Sequence, residues 1–320
     1  MTTYPVRIGP YTATDDEFHL PEPADDPDWT ETCWFTFTVP ERRLSGQLYP
    51  FFKPTLGVTS AGAYFWDETG DQVWSCRYAK NFWHLSLPDQ PLSDLTLGNG
   101  ARYRVLEPGL RYAIGYDDPD GDELLVDLEF TGIAAPHYLG ESHLDQPGRF
   151  VGEIVLGGER IPVDSYGFRD RSWGHRTQHG AGIHGTTSQR GGYSYATASP
   201  ERAFHAITMD FGDGTAHVIH GYLIEDGRWG KLGPGRRDVL ERDEETGAPT
   251  RVRLTATDEH GRSLDAVGTT LNRIGLLLNP NLWTWNCLTE WTWSGGTAYG
   301  EDHDNWSAAG QTAFARGRRT

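Results

Sequence analysis

The densest concentration of reactive side chains lies in residues 165–185, SYGFRDRSWGHRTQHGAGIHG, which hold Asp170, three arginines, three histidines, a tryptophan and five glycines. Charges beside a tryptophan at a strand end suggest the floor of a site, although a charge-rich loop is commonly plain surface. Two readings fit Asp170. As an acid catalyst it would protonate an alkene, which needs a carboxyl that keeps its proton near neutral pH. Desolvation by aromatic walls provides that, and each aromatic face stabilises the resulting carbocation by ~0.5–2 kcal/mol. As a structural clamp it would pair with Arg169 or Arg171, and pairing lowers the pKa instead. Strand alternation sends both arginines to the face opposite Asp170, which keeps the catalytic reading open.

Other residues could complete such a site. Glu290, in Leu288-Thr-Glu-Trp-Thr-Trp293, sits between aromatics and is either paired with an arginine or raised in pKa. His84, beside Trp83 on an apolar stretch, is either a core residue or a proton carrier lining a pocket. Trp283, Trp285, Trp291 and Trp293 alternate with polar residues, as the apolar face of a sheet or as a cage around an isoprenoid or polycyclic ligand. Tyr166, Phe168 and Trp173 join them as candidate ligand-lining residues, with packing the plainer role for Trp173. The expected site is a mostly apolar pocket, at or near the interface of the two halves, where the strand ending at Asp170 meets the aromatic strand 283–293. There Asp170 and Glu290 would push each other's pKa apart, giving one donor and one acceptor. His175, His179 and His184 invite a zinc reading, but the interspersed glycines disfavour a helix and no HExxH or cysteine pair accompanies them. Asp302-His303-Asp304 reads as a solvated turn. No dinucleotide fingerprint, P-loop or nucleophile elbow occurs. No cofactor and no metal are expected.

The run Phe168-Arg-Asp-Arg-Ser-Trp-Gly174, after the Gly152-Glu-Ile-Val-Leu-Gly-Gly158 hairpin, resembles the Asp-x-Asn/Ser-Trp-Gly signature of the carotenoid 1,2-hydratase-like (hydroxyneurosporene synthase-like) superfamily. His143-Leu-Asp-Gln146 and Ala298-Tyr-Gly-Glu301 fit the same pattern, and the Asp-Arg-Ser-Trp-Gly core is similar to that of an uncharacterised bacterial branch. The resemblance implies two lipocalin-like β-barrels in tandem and the hydration of an isolated alkene in a long terpenoid. Related double barrels include pericyclases, so the fold alone leaves the reaction open. By position, Asp170 matches the implied proton donor. The tyrosine common two residues earlier is Phe168 here, and the asparagine of the signature is Ser172. The missing phenol departs from carotenoid hydration as such.

The elements that must position these residues read as strands. The chain has 320 residues, room for two domains. It carries 12 Trp, 14 Tyr and 13 Phe beside 39 Gly, a mixture that favours short strands and tight turns. Turn signals such as Asp120-Gly121, Gly157-Gly158, Asp226-Gly227 and Gly295-Gly296 supply the positive φ that hairpins need. Between the turns, residues 32–39, 72–78, 124–130, 150–156, 203–211, 217–224 and 251–256 are β-rich. No helical periodicity of useful length appears. The expectation is an all-β protein of two tandem antiparallel barrels, 1–146 and 147–320, with little helix. Residues 1–28 would be an extended arm, 134–148 the connection, and the basic tail a frayed end.

With 28 Lys+Arg against 45 Asp+Glu, the net charge of −17 repels phosphate backbones and anionic lipid, which argues against nucleic acid as a partner. No apolar run approaches the ~18 residues of a membrane span. Three scattered cysteines make no disulfide framework. The N-terminus lacks a secretory pattern, so a cytoplasmic location is expected. Together these point to a cofactor-independent acid–base enzyme on a hydrophobic terpenoid, steroid or polyketide-like substrate. Hydration or dehydration leads, with isomerisation or cyclisation close behind. A non-catalytic carrier of such compounds and a pericyclase that shapes a polyene are the alternatives.

Overall fold

The computed structural model describes residues 11–21, 24–176, 190–279 and 282–317. The protein is nearly all β: of the described residues, 66% are strand and 7% helix. It divides into two compact units. Among the described residues, one gathers the chain up to Val39 with Ser45–Phe65 and Cys76–Arg176; the other gathers Pro40–Leu44, Trp66–Ser75 and the chain beyond Arg176.

The first unit is built on a twelve-stranded sheet. Its strands are β1 (Trp29–Val39), β2 (Leu44–Leu48), β3 (Phe51–Lys53), β4 (Val58–Trp66), β5 (Tyr78–Ser86), β6 (Asp94–Thr96), β7 (Ala101–Glu107), β8 (Arg111–Asp117), β9 (Leu124–Gly132), β10 (His137–Tyr138), β11 (His143–Leu156) and β12 (Glu159–His175). The order is β2-β4-β3-β1-β12-β11-β9-β8-β7-β6, with β5 on β4 and β10 on β11. Among the described residues this path does not close into the ring expected for a first barrel. Gly157 and Gly158, at φ 59° and 81°, form a two-residue turn that only glycine takes without strain. That turn sets Leu156 opposite Glu159 and carries the register down the longest hairpin of the sheet. One face of the sheet buries Phe35, Tyr112, Phe130 and Phe150. Phe35 meets Phe130 edge-on at 5.7 Å, and each such ring contributes about 1.5–3 kcal/mol on burial.

The second unit is a closed eight-stranded antiparallel barrel in sequence order: β13 (Arg190–Ser199), β14 (Arg202–Asp210), β15 (Ala216–Glu225), β16 (Arg228–Arg242), β17 (Pro249–Asp258), β18 (Ser263–Asn279), β19 (Leu282–Trp293) and β20 (Gly296–Ser307). Eight strands leave an interior that side chains can fill. Phe204 packs edge-on against Trp291 at 5.2 Å and Trp293 at 5.0 Å, with Ala196, Ala206 and Ala266 making room beside them. Arg237 is 5% exposed. Its Nε donates to Asp302 Oδ1 at 2.9 Å and its Nη1 to Asp304 Oδ1 at 3.0 Å. Arg242 Nη1 donates to Asp304 Oδ2 at 2.6 Å, and Ser194 Oγ to Asp302 Oδ1 at 2.7 Å. Gly192 faces this network; a Cβ there would lie 2.6 Å from Arg237 Cδ.

Several expectations are corrected. The boundary does not fall at 146/147, because β11 runs straight through it and β12 pairs with both β11 and β1. The Asp-Arg-Ser-Trp-Gly run therefore belongs to the first unit. The N-terminal arm is not simply extended: residues 13–16 form a 3-10 turn that buries Asp15 and Asp16. Residues 72–77 form turns in place of a strand, and the Trp74 side chain there is 80% exposed. Residues 302–304 are buried β20 positions, because two arginines reach them. An α-helix, α1 (Ala308–Gly317), follows β20, with Ser307 Oγ accepting the Gly310 N–H at 2.9 Å. The short Ala-rich segment begins at that serine cap.

Candidate active site

Alternation along β12 separates two chemistries. Arg169, Arg171 and Trp173 share one face; Phe168, Asp170 and Ser172 share the other. On the first face Arg169 pairs with Asp16, donates to Gln146 Oε1 at 3.1 Å and lies 4.0 Å over the Tyr112 ring. Arg171 pairs with Glu31 and donates to the carbonyls of Thr32 and Glu17 at 3.1 and 3.0 Å. Trp173 stacks on His19 at 3.8 Å with the rings 4° from parallel. Both fully buried arginines therefore have their own carboxylates, and neither hydrogen-bonds Asp170.

On the other face Asp170 lies directly opposite Trp34 of β1 and Asp145 of β11, while Ser172 lies opposite Thr32 and His143. Directly opposed residues of an antiparallel pair project to the same side. His143 Nε2 lies 3.0 Å from Asp145 Oδ2, and His143 Nδ1 lies 3.6 Å from Asp170 Oδ2. Asp170 is 8% exposed and Asp145 fully buried. Asp170 Oδ1 is buried without a hydrogen-bond partner among the described residues.

The electrostatics follow from this arrangement. Burial raises the Asp170 carboxyl to about 6; His143 pulls it down, Asp145 pushes it up, and Arg176 and Arg171 pull it down again. Burial alone would lower His143, but Asp145 and Asp170 outweigh it and raise the imidazole to about 9. A buried group of three is cheapest when its charges cancel. His143 is held closest by Asp145, and at Asp170 the effect of burial is the largest, so its carboxyl is the one raised.

Ser172 extends the cluster. Its Oγ lies 2.6 Å from Thr32 Oγ1 and accepts from Arg176. The Tyr49 ring is 6.1 Å from Trp34 and 4.5 Å from Phe51. The Trp34 Nε1–H donates to Gln47 Oε1 at 3.0 Å.

Two groups of residues bring metal-ligating atoms within 4.8 Å of one another inside the first unit: His143, Asp145 and Asp170, and Asp26, Asp28 and His175. In the first group an ion would take the carboxylate that Asp170 protonation removes. In the second, His175 Nδ1 lies 2.8 Å from Asp26 Oδ2 on the surface. His179 and His184 lie outside the described residues.

The other candidates fall on other positions and elements. Phe168 is buried on the Asp170 face, and Tyr166 is half-buried further along the same face, where β12 turns to solvent at Asp164. Trp173 is on the opposite face, since an odd position cannot share Asp170's side. Trp83 is 69% exposed, and His84 is exposed at φ 53°. The register of β5 on β4 shifts there, leaving both residues at a bulge on a strand paired on one side only. Glu290 and the four late tryptophans belong to the second unit. Glu290 projects from the side of β19 opposite Trp291 and Trp293 and lies across from Tyr299 of β20, whose phenol is raised by burial and by this carboxylate. Trp291 and Trp293 are barrel core, and Trp283 and Trp285 pack with Ala248 and Cys287. His143, Asp145, Thr32, Trp34 and Tyr49 were not expected. For the first two a signal existed: a turn at Gly157-Gly158 places Asp145 opposite Asp170.

Known structures share this architecture. A provisional AttH from Nitrosomonas europaea superposes with a TM-score of 0.60 at 16% identity, covering 88% of this chain and 92% of that one. Kievitone hydratase from Nectria haematococca superposes with a TM-score of 0.55 at 11% identity, covering 96% and 98%. At these identities the likeness is one of fold, and the fold is one that a hydratase uses. No curated protein sequence matches. Within the described residues no helix is long and apolar enough to cross a membrane. The family model for the domain of unknown function DUF7064 matches residues 12–306, nearly the whole chain, and the chain belongs to that family.

Proposed function

We propose that the protein is a cofactor-independent acid–base enzyme that adds water to, or removes it from, a C=C bond of a hydrophobic terpenoid, steroid or polyketide-like compound. The observation that carries the reading is Asp170: buried, among the described residues with one oxygen unpartnered and no arginine hydrogen-bonded to it, and raised to about 6. Its O–H would protonate one alkene carbon, leaving a carbocation on the other. The Trp34 ring, directly opposite on β1, would stabilise that cation by ~0.5–2 kcal/mol. Water then attacks the cation and returns one proton to the Asp170 carboxylate, so the acid is regenerated and H and OH are added across the bond. Positioned acids of this kind contribute about 10²–10⁴-fold in rate.

The kinship of fold with kievitone hydratase is in keeping with this reading but does not carry it. Among the described residues the barrel interior is filled by Phe204, Leu223, Trp291 and Trp293, and the apolar cavity beside Phe35 and Tyr103 measures about 30 Å³, below the ~300 Å³ of small-molecule pockets; neither favours a carrier over an enzyme. The test is to incubate the protein with hydrophobic alkenes and tertiary alcohols in ¹⁸O-water and follow label by mass spectrometry, with Asp170→Asn alongside. Label exchange lost in Asp170→Asn supports the proposal. Exchange retained in that variant, or none across the panel with wild-type protein, overturns it.

A further inference from the structure

On the Arg169 face of β12, residues 11–20 deliver the Asp16 carboxylate into a set of converging donors. Arg169 Nη2 donates to Asp16 Oδ1, and the Tyr103 hydroxyl reaches the same oxygen at 3.4 Å. The Tyr112 hydroxyl donates to Oδ2 at 2.9 Å and the Gly109 N–H at 3.3 Å, with Tyr11 of the same segment as a further donor. A carboxylate accepts about four hydrogen bonds, and here β7, β8, β12 and the turn between β7 and β8 supply them. Arg169 Nε is buried without a hydrogen-bond partner among the described residues, so the guanidinium holds one donor more than Asp16 uses. The wall alongside is apolar. Phe35 lies opposite Arg169 in the register of β1 on β12, and with Tyr103, Phe52, Leu95 and Ile114 it lines the cavity of about 30 Å³. Phe18, two residues beyond Asp16, packs edge-on against Phe52 at 5.2 Å. The segment thus offers a carboxylate to Arg169 and an apolar ring to a wall of the cavity. Side chains hold it there. Asp15 N–H bonds to Thr12 O and Glu17 N–H to Thr14 O, both within the segment, and residues 13–16 make a single 3-10 turn. Among the described residues no strand pairing ties the segment to the sheet.

We propose that this wall is a binding site for an apolar carboxylic acid, and that residues 11–20 are an internal stand-in which the acid displaces. The carboxylate of the ligand takes the place of Asp16 on Arg169, Tyr103, Tyr112 and the Gly109 N–H, and the unpartnered Nε makes its contact with Arg169 two-pronged. The alkyl chain takes the place of Phe18 on Phe52 and enters the cavity. One carboxylate leaves Arg169 as another arrives, so the exchange never leaves the guanidinium buried alone. The tethered Asp16 competes at a high effective concentration, and the apparent affinity is lowered by the fraction of time the segment is lifted. Arg169 and Asp170 project to opposite faces of β12, so this site is separate from the proposed reaction and stands or falls without it.

The test titrates octanoate and 1-octanol, the same alkyl tail with and without the charge, into the full chain by calorimetry, and follows chymotrypsin cleavage after Phe18 by mass spectrometry. Wild type is expected to bind octanoate about 10-fold more tightly than 1-octanol. Bound octanoate should speed cleavage after Phe18, because the lifted segment is open to the protease. Asp16→Asn keeps the shape of the stand-in and removes its charge, so octanoate should bind that variant about 10-fold more tightly than wild type, with 1-octanol unchanged. Should Asp16→Asn fail to fold, Phe18→Ala gives a second readout: it loosens the segment without touching the donors and should also tighten octanoate. Wild type that takes up no octanoate overturns the proposal. So does octanoate binding that 1-octanol matches, that neither variant tightens, or that leaves cleavage after Phe18 at its unliganded rate.

Discussion

Asp170 in the first unit and Asp304 in the second are both buried carboxylates on strands, and they differ in what faces them. Burial would raise Asp304, but Arg237 and Arg242 reverse it and hold the carboxyl below its ordinary range. Asp170 has two arginines as its immediate chain neighbours, yet the pleat turns both away and leaves an imidazole that Asp145 has already claimed. Burial then dominates, and the group is raised. Neighbours in sequence say little about the charge a strand residue meets; neighbours across the sheet decide it. A guanidinium makes a buried carboxylate structural, and its absence leaves one able to hold a proton near neutral pH.

The contrast can be broken in several places. The largest effect is expected for Asp170→Asn, which should lower turnover by about 10²–10⁴-fold and leave ligand binding intact in titrations. The same variant should be more stable. The folded pKa of about 6 lies above the ordinary 3.8, so ionisation costs folding free energy that grows as pH rises from about 4 to 6 and persists above. Urea midpoints at pH 7 should show Asp170→Asn stabilised by on the order of 1–3 kcal/mol. Arg237→Met should do the reverse, costing about 3–5 kcal/mol because two carboxylates are left buried with one arginine; its chemical denaturation should be compared with wild type. Less dramatic is the pH profile. Turnover should fall as pH climbs through about 6, and His143→Gln, by removing a cation that lowers Asp170, should move that limb upward by about one pH unit. His143 itself contributes stability that is complete below pH 6.5 and is lost as pH climbs through about 9, so the variant's stability deficit should shrink over that span. The smallest change is His84→Gly, which relieves a left-handed backbone at an exposed bulge. It should stabilise by under about 1 kcal/mol with activity unchanged, and lost activity there would return His84 to the site.

Much of the fold was legible in the primary structure. Glycine-bearing turns such as Asp226-Gly227, at φ 52° and 70°, need no tertiary context to be recognised, and between them β-rich runs imply antiparallel neighbours. Asp170 was legible for its company, and the opposite facing of Arg169 and Arg171 followed from alternation. Its partners were half-legible. Gly157-Gly158 implies a register in which Asp145 meets Asp170, and His143 lies two positions on. Thr32, Trp34 and Tyr49 were not legible, because the pairing of β1 with β12 joins residues about 140 positions apart and no local turn encodes it. For Glu290 and the late tryptophans, which belong to the other unit, the reading stopped short for a related reason. Alternation correctly placed the tryptophans on one face, but nothing local says whether that face looks into a barrel or at a ligand. The division of the chain was missed because proline and low periodicity in residues 134–148 resemble a linker, whereas the two-residue β10 and the start of the long β11 use them.

Pro40–Leu44 and Trp66–Ser75 are translated well before the barrel with which they fold. Asn272 Nδ2 donates to the carbonyl of Arg43 at 2.6 Å across 229 positions, and Gly275 N–H donates to Asp71 O at 2.9 Å. Such distant closures are slow to find, so on the ribosome these early segments wait, unsatisfied, until the last third of the chain emerges. The same threading acts on evolution. A genetic cut after Arg176 would deliver a barrel stripped of two of its own pieces, so the two units should not be exchangeable like ordinary tandem domains. Insertions that lengthen either loop would be felt by the distant partner.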